Sequence, residues 1–444
     1  MRGCAVLIKS QLHLIKLTLN DGNMVYDTVI IGGGMSALLC GIKLINAGQS
    51  VAIVSTGQSA LHFNAGALSL FNHKNGKDVA HPLEAIAKLP PEHPYSKVGM
   101  ESIIRLAPEV KKIFKDAGIT LNGSEEKNHY RLTPTGMLKP VWLSMKDYAV
   151  TESFTDIPWG KVAIINIKGY VDFYPEFISA GLELAGLKSE IREITSPELD
   201  NLRKSSSEMR ATTMARVITS EVVEKLAADV NKIVEETGAD SVIMPAVIGL
   251  YDETPVDEMQ QKTVCPVRYV STMPMSLGGM RAQLRLRHHF KRLGGTYLLG
   301  DTVASGKIIN GRLESVTTVN LGEMPLAGKN FILATGSFFS HGLEATASEI
   351  FEPVFRLDVN ACGPRDEWYR ENLYDSQAYM KFGVVTDSEF YVYKDGRRIE
   401  NFRAIGAVLG GHDALKEGSG GGVASLTALK VAECIINEKE NRHE

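Results

Sequence analysis

The stretch Tyr26–Thr56, YDTVIIGGGMSALLCGIKLINAGQSVAIVST, decides the fold. Val29, Ile30 and Ile31 form a short apolar run suited to a parallel strand buried on both faces, and the run stops at Gly32, Gly33 and Gly34. Gly32 permits a tight turn, Gly34 lets backbone N–H groups approach a pyrophosphate, and Ala37 is the small residue that lets helix and strand pack closely. Leu38, Ile42 and Ile45 then mark a helix that Ala47-Gly48 ends, and SVAIV supplies the next strand. Strand, turn, helix and strand in this order begin a Rossmann-like α/β fold with a parallel sheet, in which the first helical N–H groups face an anion. About twenty residues beyond the loop, such units carry Asp or Glu to accept hydrogen bonds from a ribose 2′-OH. Ser55 stands there instead, and an uncharged serine holds the adenosine half of a dinucleotide less firmly.

The bulk properties exclude several classes. A chain of 444 residues is long enough for two or three domains, and a net charge of -4 leaves no electrostatic footprint for nucleic acid. Its 44% hydrophobic and 23% charged residues are ordinary for a globular protein. Cys4, Cys40, Cys265, Cys362 and Cys434 are scattered singly, so no zinc set, redox pair or iron–sulfur spacing is built locally, and no metal site is expected. No apolar run has the length of a membrane span. Residues 1–23 carry Arg2, Lys9 and Lys16 among their apolar residues and no small-residue cleavage site, so they read as an unstructured or mis-assigned start, with the fold beginning at Met24.

Pro, His and turn residues dominate from Asn72 to about Trp159, which predicts irregular structure around one or two helices. A second α/β unit begins near Lys161, but its turn Lys168–Asp172 lacks glycine spacing and predicts no nicotinamide site. DSVIMPAVIGL reads as another buried strand, and a long helix is predicted over Met280–Leu293. Arg281, Arg285, His288 and Arg292 repeat at helical spacing and read as a solvated stripe; Arg281, beside Gly278-Gly279, is the member placed to hold a substrate phosphate. GTYLLGDTVASGKIINGRLESVTTV alternates like antiparallel strands, NFILATGSF is an apolar strand ending at Gly336, and a further strand ends at Gly406. Gly420, Gly421 and Gly422 open a last helix whose N-terminus would point at an electron-rich flavin edge. The organisation expected is therefore a flavin-binding domain of residues 24–75 plus 270–444 and an inserted substrate or partner domain of residues 76–269.

SALHF (59–63), EMRATTMAR (208–216), MPAVIGL (244–250), GSFFSHGL (336–343) and AIGAVLGGHD with GSGGGVASL (404–426) occur in an order and at spacings that resemble the B-subunit family of bacterial anaerobic glycerol-3-phosphate dehydrogenases, from Val25 to the C-terminus. The resemblance implies a polypeptide that pairs with a larger flavoprotein subunit, while a third, iron–sulfur subunit holds the assembly at the cytoplasmic side of the inner membrane. It implies oxidation of sn-glycerol 3-phosphate to dihydroxyacetone phosphate, with electrons passing through a quinone to fumarate or nitrate. The flavin it implies is noncovalent FMN, which has no adenosine ribose to hold and so agrees with Ser55; the glycine loop equally admits FAD.

Oxidation of a secondary alcohol at a flavin requires a base for the hydroxyl proton and cationic donors for the phosphate. His62, His341 and His412, each beside a cofactor segment, are the candidate bases, with His62 best placed at a strand end. Two other functions fit the same residues: a free-standing FAD oxidase of an amine or alcohol, and a flavin-free scaffold that binds the larger flavoprotein subunit.

Overall fold

The computed structural model describes residues 19–20, 23–205, 208–361 and 363–441. The opening unit folds as its residues dictate. Strand β1 (Asn23–Ile31) ends at the glycines, helix α1 (Met35–Asn46) follows, and β2 (Val51–Ser55) returns parallel to β1 with Val29 opposite Ala52 and Ile30 opposite Ile53. Val29, Ile30 and Ile53 are fully buried, as residues in the interior of a parallel sheet are. The strand begins at Asn23, and Leu19–Asn20 pairs antiparallel with Asn23–Met24; the rest of the expected unstructured start lies outside the described residues. Cys40, Cys265 and Cys434 are unpaired thiols, and Cys4 and Cys362 lie outside the described residues.

The region expected to be irregular holds one long helix, α2 (Met100–Asp116), whose Leu106, Val110 and Ile113 are buried. Contacts cross the boundary expected at residue 76. Strand Leu143–Met145 pairs with Ala67–Leu68 across it, and α2 packs on α1. The second α/β unit starts as predicted: β3 (Val162–Ile167), β4 (Ser189–Ile194), β5 (Ser241–Pro245) and β6 (Val267–Val270) form a parallel sheet in the order β4-β3-β5-β6. Helix α3 (Leu277–Arg292) leads back to the first sheet and buries Leu286 and Phe290.

One expectation fails at this return. Strand β7 (Thr296–Leu299) runs parallel to β2, Tyr297 opposite Ile53, because a strand reached through a helical crossover arrives in the parallel sense. Only β8 (Val303–Ile309) and β9 (Arg312–Thr318) form the antiparallel hairpin. Strand β10 (Leu326–Leu333) pairs with β1 and with β11 (Arg397–Ala404), both parallel, and helix α4 (Gly420–Glu440) closes the chain against α1. The parallel strands of the first sheet thus lie in the order β7-β2-β1-β10-β11, with the loops after β2, β1 and β10 gathered at one edge. In parallel sheets that edge is where ligands bind.

Candidate functional site

A cleft of about 890 Å³ opens at this edge. Its walls come from the loop after β1, the segment after β2 as far as Leu61, residues 302–304, Ala334–Gly336, and Gly418–Gly421 at the start of α4.

The three glycines of the first loop serve different purposes. At Gly32, φ is +108°, and a Cβ there would lie 2.2 Å from the Ala334 carbonyl oxygen. At Gly33 it would lie 2.1 Å from the Ser55 hydroxyl. The protein itself demands both glycines. Gly34 is extended and a Cβ on it would meet only Ser59 Cβ at 3.7 Å, so what needs this glycine is the space in the cleft. Ala37 is fully buried between helix and strand, the packing role its spacing predicts.

Two helix N-termini face the cleft, α1 at Gly34 and α4 at Gly420-Gly421. Neither has a side-chain cap, and neither has an acidic residue in its first turn. Both ends therefore keep their partial positive charge for a ligand, which suits a phosphate at α1 and the oxygen-rich edge of a flavin at α4. Thr335, in the Ala-Thr-Gly turn that also lines the cleft, carries a buried hydroxyl oxygen with no hydrogen-bond partner among the described residues. Donors, a cradle that a side chain would fill and an unpartnered hydroxyl together fit a flavin nucleotide.

The other expected residues divide. Gly336 lines the cleft with φ +85°. Gly406, with φ +75°, lies behind it: its N–H donates to Thr427 Oγ1 at 3.0 Å, and a Cβ would come within 2.3 Å of Ser36 Oγ, so it holds α1 and α4 together. Gly422 also packs rather than binds, since a Cβ there would be 2.0 Å from the Tyr95 hydroxyl. The Ser55 hydroxyl donates to the Gly57 carbonyl at 3.0 Å and shapes its own turn.

Of the three histidines, His341 lines the cleft; its side chain is 85% exposed, with Nδ1 3.8 Å from Glu344. His62 is half-buried with its ring against Phe63, and burial and Arg287 push its pKa down; Leu61 and Asn64 reach the cleft wall and His62 does not. His412 is buried beside His93, their rings 6.0 Å apart, and burial and then His93 lower its pKa to about 4. Arg281 is turned inward instead of lying on a solvated stripe. It is 1% exposed, and its Nε and Nη2 donate to the Gly249 and Ile248 carbonyls at 2.5 and 2.8 Å. Two carbonyls at the end of the loop after β5 outcompete solvent for it, so it anchors α3 instead of reaching the cleft.

Sequence reading missed Asn64 and Thr302–Ala304 in the wall. Asn64 carried a signal, the turn-forming Asn-Ala-Gly, and its Oδ1 accepts from the Gly66 and Ala67 N–H groups at 2.8 and 3.0 Å.

An FAD binding domain family matches residues 27–423. The B subunit of the anaerobic glycerol-3-phosphate dehydrogenase of Yersinia pestis is 39% identical over 421 residues, covering 94% of this chain and 99% of that one. This chain belongs to that B-subunit family. The family's proteins from Yersinia enterocolitica and Pectobacterium atrosepticum are 40% and 38% identical over 423 and 425 residues, each across 94% of this chain and 99% of the relative. This chain therefore carries the flavin-binding fold over residues 27–423, and the two glycine-rich helix starts at its opposite ends form one cleft in it.

Proposed function

We propose that the chain is the flavin subunit of a glycerol-3-phosphate:quinone oxidoreductase, oxidising sn-glycerol 3-phosphate to dihydroxyacetone phosphate in anaerobic respiration with fumarate or nitrate. The observation that carries this reading is the pair of uncapped, acid-free helix N-termini facing one cleft in a member of the B-subunit family. A flavin bound there supplies the two-electron acceptor. Gly33 and Gly34, with the first turn of α1, would hold its phosphate by backbone N–H groups, Gly336 would let the chain pass close to it, and the start of α4 at Gly420-Gly421 would favour negative charge on it. His341, the imidazole of the cleft wall, is our candidate for receiving the hydroxyl proton.

The cleft continues beyond Ser55 to Gly57, Gln58 and residues 302–304, where the adenosine of a dinucleotide would lie. That extent favours FAD over FMN; the missing ribose acid favours FMN. Denaturing the purified protein and weighing the released cofactor decides between them.

Among the described residues no helix is long and apolar enough to cross a membrane. In this reading a larger flavoprotein subunit and an iron–sulfur, membrane-anchoring subunit take the electrons onward to quinone and hold the chain at the cytoplasmic side of the inner membrane. The test is reconstitution. The chain alone is expected to be yellow and nearly inactive with glycerol 3-phosphate and a quinone, and activity is expected on adding the other subunits. Full turnover by the chain alone, or rapid oxygen consumption with an amine or alcohol, would promote the free-standing oxidase; a colourless chain in an active complex would promote the scaffold.

A further inference from the structure

Arg131, in the short strand His129–Leu132, is a cation without a counter-ion. Its Nη1 donates to the Ser271 hydroxyl at 2.8 Å, and among the described residues no carboxylate pairs with it. Burial pushes its guanidinium below the ordinary arginine range, offset only by Tyr148. Yet the residue is not sealed from solvent, being of intermediate exposure.

Buried hydroxyls surround it. Tyr148 is 3% exposed and Ser276 2%, they lie side by side, and apart from each other neither oxygen has a hydrogen-bond partner among the described residues. Tyr170 has a third buried hydroxyl, whose one neighbour of this kind among the described residues is Thr272. Arg281 and Asp147 face each other at 3.7 Å next to Tyr148, leaving Arg281 Nη1 and Asp147 Oδ1 also without hydrogen bonds. The carboxylates near this cluster, Asp147, Glu253 and Asp172, face Arg281, Asp147 and Tyr170, and Arg131 is the guanidinium that none of them pairs with. An unpartnered buried polar group is costly, so such groups beside a guanidinium that no carboxylate pairs with mark a place where acceptor atoms from outside the chain belong.

The cluster sits at the carboxyl edge of the second parallel sheet: Ser271 and Thr272 follow β6, and Tyr170 follows β3. It also touches the cleft wall. The Met145 N–H donates to the Gly66 carbonyl at 3.0 Å, a Cβ on Gly66 would lie 2.6 Å from the Tyr148 hydroxyl, and Ala67–Ser69, the next residues, line the cleft.

We propose that Arg131, with the hydroxyls of Ser271, Tyr148 and Ser276, binds a phosphate monoester, the anionic end of this chain's substrate. The proposal rests on the reading above that the substrate is glycerol 3-phosphate, and it gives this chain a direct substrate contact. A guanidinium fork matches phosphate oxygens bidentately, and hydroxyls donate to the oxygens that remain. Arg131 is a binding residue here, and Tyr148, packed against Gly66 and Gly278, stands beside it.

The test is calorimetric titration of the flavin-loaded full chain with inorganic phosphate, sn-glycerol 3-phosphate and glycerol. Both phosphates are expected to bind and glycerol is expected to bind far more weakly. Arg131→Gln is expected to weaken both phosphates tenfold or more with flavin content unchanged. Should that variant fail to fold, Ser271→Asp, which places a carboxylate against Arg131, is expected to remove anion binding while keeping the fold. A wild-type chain that binds neither phosphate, or a folded variant of either kind that binds phosphate as the wild type does, overturns the assignment. A complex that does not oxidise glycerol 3-phosphate although this chain within it binds inorganic phosphate through Arg131 breaks the functional reading alone; a complex that oxidises it without this binding breaks the present inference alone.

Discussion

Gly34 has backbone angles open to any residue and free space where a Cβ would stand, while Gly33 is boxed in by Ser55 and Tyr297. The two substitutions should therefore fail differently. Gly34→Val is expected to abolish the flavin absorbance of the purified protein and to leave an unfolding temperature close to that of the flavin-free wild type. Gly33→Ala is expected to lower stability itself by roughly 1–3 kcal/mol, as overpacking a tight site does. A second prediction at this scale concerns two buried imidazoles. Burial lowers the pKa of His129 to about 4, with Glu152 opposing, and burial and His93 lower that of His412 to about 4. Both are then neutral in the folded chain where the unfolded chain, at an ordinary value of about 6.5, is protonated. The unfolded state binds more protons between pH 6.5 and 4, so stability falls as pH falls through that window and levels off below it. Each contributes up to about 3 kcal/mol to the fall. Urea midpoints measured from pH 7 to pH 4 check the slope, and His129→Asn, which loses the titrating group along with its bond to Ser144, should start less stable and decline less steeply.

Among the elements, α4 is the one whose position sets what the cleft can do. Its Gly422 N–H donates to the Ser69 carbonyl at 2.8 Å, and a Cβ on Gly421 would lie 2.9 Å from the Ser69 nitrogen, so the helix start is seated against backbone that cannot easily yield. Gly421→Ala is expected to push this N-terminus away from the cleft, weaken flavin binding several-fold and lower the flavin's reduction potential, because the dipole that steadies the reduced form acts only within the first turn. Redox titration of the variant checks this, and an unchanged potential would make the second glycine cluster a packing device only. Helix α1 differs: its start is open, and in the proposed reading it faces the phosphate.

At the scale of the molecule, the flavin cleft joins segments from near the two ends of the chain, 31–36 and 418–424, with others at 54–69, 302–304 and 334–336. A ligand bound there stabilises all of them together by mass action. Removing the flavin is expected to lower the unfolding temperature and to raise hydrogen exchange in α1 and α4, while β3, β5 and β6, whose sheet lies outside the cleft wall, keep their protection. Equal loss of protection in both sheets would show that the two units unfold as one. The continuous core that runs through both makes that outcome informative, since shared burial and not the cofactor would then join them.

What the sequence determined alone was local and periodic. The apolar run Val29–Ile31, the glycines after it and the helix that follows are neighbours in the chain, so their strand, turn and helix follow from short-range sterics and alternation, and the glycine start of α4 is legible in the same way. Tertiary structure decided which of the chemically similar residues reach the cleft. Gly34 lines it while Gly406 and Gly422 clamp helices, His341 faces it while His412 is buried with His93, and Arg281 turns inward to two carbonyls while Arg131, which stands out by nothing in its surrounding sequence, is left with only the Ser271 hydroxyl. Thr296–Leu299 alternates like a hairpin strand yet runs parallel, because the helix before it delivers the chain to the other end of the sheet. In each case the deciding partner is far away in sequence, and a residue's spacing carries no record of a contact that only the crossover connections bring about.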